Sequence, residues 1–141
     1  MIALIIATHG EFSREIVHSA EMIFGKQENV VSVTFKTGEG PDDLKQKYQQ
    51  ALRELDTNDG VLFMVDLFGG SPFNAAAGLA AKEENMDIIT GINLPMLIEC
   101  FARRTNSSLE QLVDAISKTA VEGVKSLKKT LQNAENSEED L

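Results

Sequence analysis

Two spacings of apolar residues divide this chain into alternating pieces. Ile2 to Ala7 (IALIIA) and Val61 to Val65 (VLFMV) are unbroken apolar runs, of the length expected for strands buried on both faces of a parallel sheet. Val30 to Phe35 (VVSVTF) is β-branched and alternates, which predicts a second strand, and Met86 to Ile92 (MDIITGI) predicts a fourth. Between these blocks the apolar spacing lengthens to three and four. Phe12, Ile16, Val17, Ala20, Ile23 and Phe24 form one stripe of a helix over Glu11 to Phe24, closed by Gly25. Leu44, Tyr48, Ala51, Leu52 and Leu55 form another, opened by Pro41, Asp42 and Asp43. An alanine-rich helix follows Ser71, a further one follows Asn93 to Met96, and Ser107 or Ser108 caps the next. Gly123 interrupts that last pattern and leaves Val124 to Leu131 open to helix, strand or docking arm. Strands alternating with helices at this spacing predict right-handed βαβ units and an α/β fold with a mostly parallel sheet. One domain is expected over residues 1–132, and the polar, acidic stretch 133–141 is expected to be a disordered tail.

Composition narrows the partners. The formal net charge of -9, part of it at Glu135, Glu138, Glu139 and Asp140, argues against nucleic acid, which needs a basic footprint. There is no run of membrane-spanning length and no basic signal region, so a cytoplasmic location is expected. The single cysteine, Cys100, excludes an internal disulfide and is expected to pack within a helix. Without HExxH, GxGxxG or a P-loop pattern, neither a metal nor a nucleotide cofactor is expected.

Candidate chemistry gathers at two strand ends. Asp66 follows five apolar residues, and an unpaired carboxylate does not belong in a core. It is expected to face the crevice beyond the strand's carboxyl end, where open α/β sheets place their ligands. Gly69 and Gly70 permit a tight turn, Ser71 suits an N-cap, and Pro72 suits the first helical position. Exposed amides in such a turn make an anion site. His9 stands at the end of strand one, and if strands one and three are neighbours it shares this crevice with Asp66. A neutral imidazole attacks phosphorus through one nitrogen when the other is protonated and held by an acceptor. Asp66 can be that acceptor, with Gly69, Gly70 and Ser71 holding the phosphoryl oxygens. His18, in a helix with no matching carboxylate, is assigned to the surface.

The stretches ATHG (Ala7 to Gly10), AEMIFG (Ala20 to Gly25), GVLFMVDLFGGSPFNAA (from Gly60) and GINLPMLIE (from Gly91) carry a resemblance in order and spacing. The chain resembles the enzyme IIA component of the mannose family of the phosphoenolpyruvate-dependent sugar phosphotransferase system. That resemblance implies a doubly wound three-layer α/β/α fold with sheet order 2-1-3-4, plus an antiparallel edge strand exchanged between the subunits of a homodimer. It implies that His9 accepts a phosphoryl group on Nε2 from HPr and passes it to a separate IIB component. It also implies that Asp66 pairs with the other ring nitrogen and that Ser71 helps to hold the phosphoryl group. Some members carry Thr and Trp after the aspartate, where this chain has Leu67 and Phe68. Phe68, Phe73, Met22 and Met96 are candidates for an apolar docking rim, or for the core. Two neighbouring functions share the same histidine: a phosphoryl-donor subunit for dihydroxyacetone kinase, and a regulatory phosphohistidine module.

Overall fold

Strand β1 (Ala3–His9) organises the molecule, because it is buried on both faces as far as Thr8. In the computed structural model, which describes residues 1–139, β2 (Val30–Phe35) and β3 (Val61–Val65) flank β1, and β4 (Met86–Ile89) lies beyond β3. The sheet order is β2-β1-β3-β4 and every ladder is parallel. Ile2, Leu4 and Ile6, with Leu62 and Met64, meet α1 (Phe12–Phe24), α4 (Leu94–Arg103) and α5 (Leu109–Glu122) on one face. Ala3, Ile5 and Ala7, with Val61, Phe63 and Val65, meet α2 (Pro41–Glu54) and α3 (Ser71–Ala80) on the other. This is the expected doubly wound, three-layer arrangement, and it places all four strand carboxyl ends along one edge.

Several boundaries differ from the sequence reading, each for a local reason. β1 runs two residues past Ala7, because Thr8 and His9 stay in register with Thr34 and Phe35. β4 stops at Ile89 instead of Ile92: Gly91 turns at φ 75, and the Gly91 and Ile92 N–H groups donate to the carbonyls of Asp66 and Val65. Gly70, not Ser71, is the N-cap of α3; its backbone is extended, while Ser71 has already entered the helix. The segment beyond Gly123 forms α6 (Leu127–Glu139) where a tail without regular structure was expected from residue 133. Ser126 starts it, its hydroxyl accepting from Lys129 N–H, and good helix formers follow with no Gly or Pro. Residues 124–137 are exposed, so α6 stands apart from the core. Asp140 and Leu141 lie outside the described residues. The expected antiparallel edge strand is absent from the sheet of the single chain among the described residues.

Candidate functional site

His9 occupies the last rung of β1, and strand alternation puts it on the α2–α3 face with Ala3, Ile5 and Ala7. Thr8 points the other way and is buried. Its hydroxyl accepts from Ser13 N–H at 2.7 Å and donates to the His9 carbonyl at 3.1 Å, seating the first turn of α1 on the end of the strand. Gly10, at φ 59, then turns the chain out of the sheet while its N–H donates to the Phe35 carbonyl at 2.8 Å.

Asp66 is the first residue after β3, and its two oxygens have different partners. Oδ2 accepts from His9 N–H at 3.0 Å and lies 2.9 Å from ring atom Nδ1; Oδ1 accepts from Leu67 N–H at 3.0 Å. Partial burial pushes this carboxyl up, but the donors on His9, backbone then ring, together with Leu67 N–H outweigh it. Asp66 is held below the usual carboxylate range. A carboxylate only accepts, so Nδ1 carries a proton, and in the neutral ring Nε2 keeps its lone pair. The imidazole side chain is 46% exposed against 17% for Asp66. The imidazole is thus open to its surroundings while the carboxylate that holds it is shielded.

The turn after Asp66 closes over the same ring. Gly69 adopts φ 81, and Asn74 Nδ2 donates back to its carbonyl at 3.0 Å. Gly70 has an ordinary φ, so its need for glycine is one of space: a Cβ there would stand 3.0 Å from His9 Cε1 and 3.7 Å from Nε2. Gly70→Ala is therefore expected to displace the His9 ring by a few tenths of an ångström. Shifted ring ¹⁵N resonances should report this, with the unfolding free energy changed by less than about 1 kcal/mol; unmoved resonances would refute the close approach. Ser71 begins α3, whose first-turn amides have no acceptor within the helix. His9, Asp66, Gly69, Gly70 and Ser71 therefore come from two strand ends and the turn that follows the second.

The candidate rim is only partly assembled. Phe68 is 80% exposed and packs on Phe73, with ring centroids 4.7 Å apart. Met96 is buried in the core between α4 and the sheet. Met22 is exposed, but it lies about 15 Å along α1 from the turn that adjoins His9. His18 is exposed, as expected, and Cys100 is buried, its thiol pushed up to about 12. Supporting residues missed in the sequence include Asn74, Asn93 and Tyr48. Asn93 caps α4 by accepting from Met96 N–H and donates to the Ala120 carbonyl; the buried Tyr48 hydroxyl donates to the Pro72 carbonyl at 2.7 Å. A polar atom on the apolar stripe of α2 was the available signal for Tyr48. Among the described residues no group of three or more His, Cys, Asp or Glu side chains could hold a metal, and no helix is long and apolar enough to cross a membrane.

Residues 3–117 match the family described as PTS system fructose IIA component, EIIA-man. The chain belongs to the EIIA-man family. It is 45% identical over 128 residues to the PTS system mannose-specific EIIAB component of Escherichia coli K12, an alignment covering 90% of this chain and 40% of that protein. The chain thus spans well under half the length of that relative. It is 36% identical over 140 residues to the PTS system fructose-specific EIIA component of Bacillus subtilis 168, covering 99% of this chain and 96% of that one. The same architecture appears in the crystal structure of phosphotransferase system component EIIA from Streptococcus agalactiae. That structure has TM-score 0.84 and 32% identity, with 92% of this chain and 99% of the other covered.

Proposed function

We propose that this chain is a phosphoryl carrier of a sugar phosphotransferase system, taking a phosphoryl group from HPr on His9 and passing it to a IIB component. The observation that carries this reading is the His9–Asp66 pair, which protonates Nδ1 and leaves Nε2 free in an open crevice. As the Nε2 lone pair forms a bond to phosphorus, the bond from phosphorus to the HPr atom that carried it breaks and its electron pair returns to that atom. Asp66 meets the positive charge growing on His9. The amides around Gly69 and Gly70, with Ser71 at the start of α3, hold the phosphoryl oxygens at the positive end of the helix. Transfer to IIB repeats these steps with His9 as the leaving group. No cofactor enters the scheme, and both exchanges take place in the cytoplasm.

An exposed Leu67 and Phe68 beside the crevice suit a protein donor and acceptor. A homodimer fits the remaining surface. β4 is an open edge beside a groove of about 830 Å³ whose lining includes Ile88, Val121 and Val124, while Leu127 and Leu131 on α6 are exposed. Exchange of the segment after Gly123 with a second copy, α6 giving up its helix to pair as an antiparallel strand on the β4 edge, would cover both. The relatives are named as sugar-system components, so nothing favours a dihydroxyacetone kinase subunit or a regulatory module.

Incubation with phosphoenolpyruvate, enzyme I and HPr is expected to add one acid-labile phosphoryl group, seen in the intact mass and mapping to His9. An unchanged mass while HPr itself becomes phosphorylated would overturn the reading.

A further inference from the structure

Asp66 anchors one atom of the imidazole, and one hydrogen bond does not fix a ring. With Nδ1 held on Oδ2, the ring can still swing about that contact and carry Nε2 away from the first turn of α3. Two further surfaces limit the swing. Gly70, from the turn after β3, lies against Cε1. From the opposite flank of β1 comes Phe35, the residue paired with His9 on the last rung of the β1–β2 ladder. Its ring meets the imidazole edge to face, with centroids 5.8 Å apart and planes at 77°. The Phe35 backbone is fixed in turn, since its carbonyl accepts from Gly10 N–H directly after His9. The side chain is half-buried against the α2–α3 core, a place any apolar residue of similar size would fill. Core packing alone therefore gives no reason for an aromatic ring here.

We propose that Phe35 is a positioning residue: its ring, opposite Gly70, holds the His9 imidazole so that Nε2 faces the first turn of α3 while Nδ1 stays on Asp66. The aromatic pair contributes orientation, because edge-to-face contact favours one relative geometry where an aliphatic chain favours none. The proposal rests on the phosphoryl-carrier reading for its consequence in transfer, but not for the ring geometry itself.

The test compares Phe35→Leu, which keeps apolar volume, and Phe35→Tyr, which keeps the ring, with the unaltered full-length chain. Long-range ¹H–¹⁵N spectra without any phosphoryl donor read the His9 ring environment and its exchange directly, with exposed His18 as internal reference. The unaltered chain and Phe35→Tyr are expected to show one sharp set of His9 ring resonances; Phe35→Leu is expected to keep the proton on Nδ1, held by Asp66, but to show shifted, exchange-broadened ring resonances from the freed swing. Single-turnover transfer from phosphorylated HPr should then fall roughly tenfold in Phe35→Leu, as for a modestly misplaced nucleophile, with apparent HPr affinity unchanged and the rate kept in Phe35→Tyr. Phe35→Met takes the place of Phe35→Leu if the latter lowers the unfolding midpoint. Unaltered ring resonances and an unaltered rate in the aliphatic variant would overturn the proposal. If the unaltered chain accepts no phosphoryl group, the carrier reading fails and the position and width of the His9 ring resonances alone decide the role of Phe35.

Discussion

Asp66→Asn is expected to come close to the complete loss of phosphoryl uptake expected for His9→Ala, although it alters neither shape nor volume. Both Asp66 oxygens accept: Oδ2 from His9 N–H and Nδ1–H, Oδ1 from Leu67 N–H. An asparagine has one oxygen to offer. If it faces His9, its NH₂ group opposes Leu67 N–H; if it faces Leu67, the NH₂ group points at Nδ1 and favours the tautomer protonated on Nε2, which has no lone pair for phosphorus. The substitution also removes the charge that meets the developing imidazolium. Together these should slow single-turnover uptake from phosphorylated HPr by roughly 10²-fold or more, as a wrong tautomer does in other histidine-dependent sites. Circular dichroism should stay unchanged. Uptake within about threefold of the unaltered chain would show that Asp66 does not set the tautomer.

The same pair sets a pH dependence whose sign follows from its cause. The folded-state carboxyl lies below its unfolded value, so Asp66 contributes stability above the unfolded carboxylate range and loses it as the pH falls through the folded value. Unfolding midpoints should therefore fall on acidification more steeply in the unaltered chain than in Asp66→Asn. Parallel slopes would contradict the pairing.

How much of this could be read from the sequence depended on whether a feature was local. Val61 to Val65 and Val30 to Phe35 were legible to the residue, because buried strands announce themselves by unbroken or alternating apolar runs. His9 and Asp66 were legible because each is polar where an apolar strand ends, and parallel topology brings such ends together. The failures came where tertiary contacts decide. Thr8 and His9 joined β1 only because β2 continues beside them. Nothing near Met96 distinguished the core from a docking rim, since its α4 stripe serves either. The role of Phe35 depends on a cross-strand partner that no local pattern names. Ser71 lost the cap to Gly70 because an extended glycine does that work without a side chain.

Arg104 is the largest omission, and its replacement is expected to have the largest effect on stability. Its side chain is 1% exposed at the end of the sheet opposite His9. Nη1 donates to the carbonyls of Ile2 and Asn29, each at 3.1 Å, and Nη2 donates to Gln27 Oε1 and the Glu28 carbonyl. One guanidinium thus fastens the turn before β2 to the start of β1 and the end of α4. That turn needs fastening, because Asn29 holds φ 58, the one non-glycine residue at positive φ among those described. Two effects oppose each other in Arg104→Met. Removing a buried charge, whose Nε also lacks a partner, relieves a desolvation cost of several kcal/mol. Against this, the buried Ile2 carbonyl and the part-buried Glu28 and Asn29 carbonyls each lose a donor, at about 1–3 kcal/mol where none replaces it; Asn29 keeps Leu4 N–H, but the strained turn loses its anchor. The donors lost on two segments and the freed turn together outweigh one relieved charge, so a net loss of about 2 kcal/mol is expected from urea denaturation. A loss below about 1 kcal/mol would mean that desolvation cancels the bonds. Either way the folded variant should take up phosphoryl groups at the unaltered rate, because Ile2 and His9 stand about 20 Å apart along β1. Loss of uptake in a folded Arg104→Met would instead couple the two ends of the sheet.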